Sequence, residues 1–123
     1  AQEHKRGIPS QRVVLAGFSQ GGAIALHTGV RYPERLAGIM ALSTYLPLAD
    51  SFTTEAHAAN QTVPIFMAHG TEDPIIPIER GRQSADLLKR AGADVMWRTY
   101  DMAHSVCLEE IGDIAAWLAR VLR

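Results

Sequence analysis

Gly17-Phe18-Ser19-Gln20-Gly21 follows the pattern G-x-S-x-G, and Gly22 extends it. The pattern serves nucleophilic catalysis when a sharp turn from strand to helix pushes the serine hydroxyl into the open. Such a turn strains the serine backbone, and neighbours without a β-carbon relieve the crowding. Three fixed residues alone arise by chance in roughly one chain in thirty of this size. Context gives them weight, because a short apolar run over residues 12–18 precedes the motif and an alanine- and leucine-rich segment over 20–31 follows it. A helix starting there aims its N-terminus at the serine, and the Gln20 N–H can donate to a developing oxyanion.

A serine hydroxyl becomes a useful nucleophile only when a base takes its proton, and a histidine base needs a carboxylate to fix its tautomer. Asp73, in His69-Gly70-Thr71-Glu72-Asp73-Pro74, and His104, in Asp101-Met102-Ala103-His104-Ser105, follow Ser19 in the order Ser, Asp, His. The plainer readings are that Asp73 initiates a turn before Pro74 and that His104 merely precedes a helix. Glu72 and Asp101 compete as acids, but Glu72 falls earlier in its turn and Asp101 reads as the end of a strand. His69 ends a buried strand beside Gly70 and reads as structural, while His4, His27 and His57 read as surface or helix residues. Cys107 reads as a helix residue beside the site, without the surroundings that activate a thiolate. No Cys/His spacing suits zinc, and no glycine loop could cradle a phosphate.

The positioning elements alternate. Apolar or β-branched runs predict strands over 12–18, 36–42, 63–68 and 94–100. Helices are predicted over 20–31, stopping before Pro33, and from Ile78 to a C-cap at Gly92 after Lys89 and Arg90. A long polar connection runs through Thr54 and Asn60. In the last helix Ser105 is the expected N-cap, Glu109 and Glu110 lie in the first turn, and Leu108, Ile111, Ala115, Leu118 and Leu122 form one apolar face. Four strand–helix units in succession predict an α/β protein with a parallel sheet flanked by helices. Ser19, Asp73 and His104 then follow the first, third and fourth strands at one edge of that sheet, where open α/β sheets place their sites.

The bulk properties fit that reading. A chain of 123 residues, 47% hydrophobic with a net charge of −1, suits one compact domain and gives no electrostatic footprint for nucleic acid. No apolar stretch is long enough for stable membrane insertion. The single cysteine forms no internal disulfide, which points to a reducing compartment. The chain opens on Ala1 and not on methionine, read here as a missing beginning with any signal peptide unseen.

Four blocks together resemble the phospholipase/carboxylesterase family, the small bacterial carboxylesterases and eukaryotic acyl-protein thioesterases. They are residues 17–22, Ala41-Leu42-Ser43-Thr44-Tyr45-Leu46-Pro47, residues 69–77, and Tyr100-Asp101-Met102-Ala103-His104-Ser105-Val106-Cys107-Leu108-Glu109-Glu110-Ile111. The Leu-Ser-Thr-Tyr block looks closest to the bacterial carboxylesterase branch. The resemblance implies an α/β-hydrolase fold, with Ser19 as nucleophile, Asp73 as orienting acid, His104 as general base and the Gln20 N–H as half of the oxyanion hole. It also implies Leu46 and Ile75 near an acyl pocket, no metal or cofactor, and a cytoplasmic setting. The implied function is a serine carboxylesterase for short- to medium-chain acyl esters, with a thioesterase, lysophospholipase or peptidase of the same fold as alternatives. Ala103 departs from the glycine usual before the histidine, and would strain the loop if that position needs a positive φ. Family members are nearly twice as long, so residues 1–123 resemble the C-terminal portion of one such domain. The first strands and the loop giving the second oxyanion N–H would lie elsewhere, leaving the nucleophile strand with an unpaired edge. Homodimerisation or association with an N-terminal segment is the expected partnership, and a non-catalytic binding module is the rival reading.

Overall fold

Four short runs, three apolar and one mixed, each of five to seven residues, pair as parallel strands in the computed structural model, which describes residues 8–47, 56 and 58–122. The strands are β1 (Val14–Phe18), β2 (Gly38–Leu42), β3 (Pro64–Gly70) and β4 (Asp94–Tyr100), in the spatial order β1-β2-β3-β4. Parallel neighbours need crossover connections. Two are the helices α1 (Gln20–Arg31) and α2 (Ile78–Arg90), and α3 (Leu108–Val121) follows β4. Single 3₁₀ turns occupy Ser10–Arg12 and Ala58–Asn60. Thr54 of the polar connection, His4 and His57 lie outside the described residues.

The central strands are buried on both faces, as their unbroken apolar runs require. Ile39, Ala41, Ile65 and Met67 face Leu26 and Val30 of α1 and Ala85 and Leu88 of α2. Met40, Leu42, Phe66 and Ala68 face the other way, toward Trp117 of α3. Adjacent residues serve opposite layers, which is the two-residue period of a strand. The register sets Phe18 beside Leu42, Leu42 beside Ala68 and Gly70 beside Tyr100, so the strands end together on one edge. β1 is an outer strand, paired with β2 on one side among the described residues. Below the sheet, buried Asn60 donates to the Tyr32 and Glu34 carbonyls and accepts the Leu36 N–H, tying the end of α1 to the approach of β2.

Two expectations for α3 are corrected. Its N-cap is Cys107, with no side-chain cap, while the Ser105 N–H closes a tight turn onto the Ala103 carbonyl. The helix is also rotated away from the expected face. Leu108 is 86% and Ile111 51% exposed, whereas Glu110 and Trp117 are buried and Ile114, Val121 and, from the expected face, Leu118 pack half-buried beside the sheet. Trp117 decides the rotation: its ring lies over Gly38, where a β-carbon would stand 2.7 Å from it. A large ring gains more from that contact than the smaller aliphatic side chains gain elsewhere. Glu110, two turns earlier on the same face, is carried inward with it.

Neither carboxylate oxygen of Glu110 completes a hydrogen bond. Burial pushes its pKa above the carboxylate range, the nearby Asp113 charge adds to this, and the Cys107 backbone N–H opposes it only in part. A carboxyl with a raised folded-state pKa contributes stability below its ordinary value near 4.5, lost as pH rises through the folded-state value. Glu110→Gln should therefore leave the melting temperature unchanged at pH 4 and raise it at pH 8. Thermal melts across that range check this, and a constant difference at every pH would contradict it.

Candidate active site

Ser19 sits between the last residue of β1 and the first of α1 with φ 57° and ψ −120°. Only Ser19 and Ser43 among the described non-glycine residues have positive φ. The Ser19 N–H donates to the Leu42 carbonyl at 2.8 Å and its carbonyl accepts the Ala23 N–H at 3.1 Å, so strand and helix both hold the strained residue. Gly17 makes the turn possible. A β-carbon there would stand 2.2 Å from the Gly21 carbonyl, whereas one at Gly21 would meet nothing within 4 Å. The steric demand thus falls on the first glycine of the motif. Gln20, the first residue of α1, has one of the N–H groups that a helix leaves without an internal acceptor.

The other two residues reach Ser19 from neighbouring loops. His104 Nε2 lies 2.7 Å from Ser19 Oγ, and His104 Nδ1 lies 2.7 Å from Asp73 Oδ2. The loops are stitched together: Thr71 N–H donates to the Tyr100 carbonyl and Glu72 N–H to the Met102 carbonyl. Across the His104 loop, the Tyr100 hydroxyl donates to Asp113 Oδ2 at 2.6 Å. The Phe18 ring stands 4.9 Å from the imidazole and covers one side of it. Ala103 is not among the positive-φ residues, so the expected strain before His104 is absent.

The Asp73 side chain is fully buried and that of His104 16% exposed. Burial pushes the Asp73 carboxyl upward in pKa. The Ile76 N–H, His104 and the Ile75 N–H together outweigh it and hold the group below the usual carboxylate range. The two backbone donors reach Oδ1 at 2.8 and 2.9 Å. Asp73 therefore does initiate a turn, as its plainer reading had it, and presents its second oxygen to the histidine as well. The competing acids Glu72 and Asp101 are both exposed.

Ile75, two residues beyond Asp73, is 66% exposed, while Leu46 is buried in the core against the α1 and α2 layer, its N–H donating to Ser84 Oγ. His27 lies half-buried on α1, and Cys107 is a partly buried free thiol at the N-cap of α3. No helix among the described residues is long and apolar enough to cross a membrane. Sequence reasoning missed the Phe18 cover, the two N–H donors to Asp73 and the approach of His69 to that carboxylate. An aspartate followed by Pro-Ile-Ile is the signal for the donors, since such side chains bond backbone two or three residues on.

The phospholipase/carboxylesterase family model matches residues 1–122. The chain belongs to that family. This member is 46% identical to an acyl-protein thioesterase 1 of Gibberella zeae, over 98% of its own length and 53% of the relative's. It is 47% identical to an acyl-protein thioesterase 1 of Mycosarcoma maydis, over 94% and 50%. The crystal structure of Arabidopsis thaliana SOBER1 superimposes with a TM-score of 0.93 at 32% identity, covering 99% of this chain and 59% of that one. The chain thus spans about half the length of the curated relatives it matches. Both relatives are named acyl-protein thioesterases, where the bacterial carboxylesterase branch is expected from the Leu-Ser-Thr-Tyr block.

Proposed function

We propose that Ser19, His104 and Asp73 form the catalytic centre of a serine hydrolase that cleaves acyl thioesters or esters through an acyl-enzyme. The observation that carries this reading is the unbroken run from Ser19 Oγ through the His104 ring to Asp73 Oδ2, each contact 2.7 Å, on a strained turn beyond a parallel strand. Ser19 Oγ attacks the acyl carbon while His104 Nε2 takes its proton, and the Gln20 N–H stabilises the oxyanion. Collapse expels the thiol or alcohol, which receives the proton from His104. Water then attacks the acyl-Ser19 carbon, again with His104 as base, and releases the acid. No step needs a metal or cofactor. Ile75, exposed beside Asp73, suits contact with the acyl chain, whereas Leu46 is buried in the core and is the weaker candidate for such contact.

The thioesterase names of the more similar relatives support thioesters as the preferred substrates, with the carboxylesterase reading second. Turnover of a thioester and an oxyester sharing one medium-length acyl chain separates them. A kcat/KM ratio of about tenfold or more for the thioester, some 1.4 kcal/mol in the transition state, is expected. A preference of that size for the oxyester would return the assignment to a carboxylesterase. The half-length match supports reading residues 1–123 as the C-terminal portion of one α/β-hydrolase domain, and the lone thiol of Cys107 suits a cytoplasmic setting.

A further inference from the structure

His69 plays no part in the proton transfers, yet it is fully buried at the end of β3, behind the catalytic carboxylate. Its Nε2 lies 2.7 Å from the Ile76 carbonyl oxygen and 3.4 Å from Asp73 Oδ2. Both neighbours accept hydrogen bonds and neither can donate one, so Nε2 must bear the hydrogen. Nδ1 has no partner and faces the backbone of Gly81 on α2, where a β-carbon would stand 2.8 Å away. The Trp97 ring, its centroid 6.2 Å off, borders the imidazole from β4. These contacts hold the ring in one place and in one tautomer.

What that ring holds is the Asp73 turn. Ile76 gives its N–H to Asp73 Oδ1 and its carbonyl accepts from His69, so the two peptides flanking one residue are both held. We infer that His69, as the Nε2–H tautomer, is a positioning residue that clamps the 73–76 turn and keeps Asp73 Oδ2 aimed at His104 Nδ1. The inference rests on the reading of Asp73 as the orienting acid. Without the clamp, the Ile76 carbonyl is a buried acceptor left unpaired, and the carboxylate can drift. Misplacement of a catalytic group by about 1 Å can cost on the order of 10²-fold in rate.

The test follows fluorophosphonate labelling kinetics of the full chain, which separate the rate at saturation from the probe concentration giving half that rate. His69→Phe keeps a ring and loses the donor, and should slow the saturating rate about 10- to 100-fold with the half-saturating concentration unchanged. His69→Gln places an amide N–H where Nε2–H stood, and should return the rate to within about threefold. In an Asp73→Asn background the Phe substitution should add little, because its effect passes through the carboxylate. Equal slowing with and without that carboxylate, or a Gln variant as slow as Phe at matched folding, would overturn the clamp alone. An Asp73→Asn change that leaves labelling untouched would overturn the catalytic reading instead. Long-range proton–nitrogen NMR of the unsubstituted chain needs no variant to fold. It should find His69 protonated at Nε2 only, and an Nδ1–H tautomer would refute the inference.

Discussion

Ser19→Ala should abolish fluorophosphonate labelling and lower acyl turnover by roughly 10⁶-fold, the scale on which loss of a serine nucleophile acts. The size follows from the geometry. His104 Nε2 has Ser19 Oγ as its partner at 2.7 Å, and the positive φ at residue 19 holds that hydroxyl out at the sheet edge. Alanine removes one oxygen and keeps the turn, so the folded state should survive. The Cys107 thiol, three residues beyond His104 at the N-cap of α3, supplies the contrast. Cys107→Ala should leave the labelling rate unchanged. Loss of labelling in the cysteine variant with retention in the serine variant would move the nucleophile to the thiol.

Asp73→Asn has the next largest expected effect, about 10⁴-fold in rate. The amide keeps an oxygen for the Ile75 and Ile76 N–H groups, so the turn should persist. At the position of Oδ2 it presents N–H donors to His104 Nδ1, which must then accept and move its proton to Nε2. That tautomer cannot take the Ser19 proton. The substitution also removes a pH dependence of folding. Because the Asp73 carboxyl is held below its ordinary value of 3.8, it contributes stability above that value, lost as pH falls through the lower folded-state value. Acid unfolding of Asp73→Asn should lack this component, and single-turnover rates beside acid titrations by circular dichroism check both halves. Full activity in the Asn variant would remove Asp73 from the site.

The parts of the site carried by chain order were legible in the sequence. The helix over 20–31 and the strand over 94–100 end where composition places them. The apolar runs locate β1 and β3 within a few residues of their ends. β1 starts at Val14 and not at residue 12, because Ser10–Arg12 closes a 3₁₀ turn, and β3 continues to Gly70 because Tyr100 offers it a partner. Ser19, Asp73 and His104 could be read together because strands alternating with helices put their C-terminal ends on one edge. The rest depends on distance in space. Periodicity picks out Leu108, Ile111, Ala115, Leu118 and Leu122 and passes over Trp117, whose ring lies over Gly38 of the sheet and turns α3. Phe18 stands at a variable position of the serine motif and meets His104 only across the fold, and His69 turns back onto Asp73 only because the 73–76 turn folds over it, so neither contact can be read from residue types alone.

Everything proposed for this site depends on His104 and Asp73 activating Ser19. Intact-mass and peptide mapping after fluorophosphonate treatment of the chain, beside Ser19→Ala and His104→Ala, tests it most directly. One adduct is expected, on Ser19, and it should be absent from both variants. An adduct that persists in Ser19→Ala, or a folded chain that takes up no probe at all, would contradict that activation.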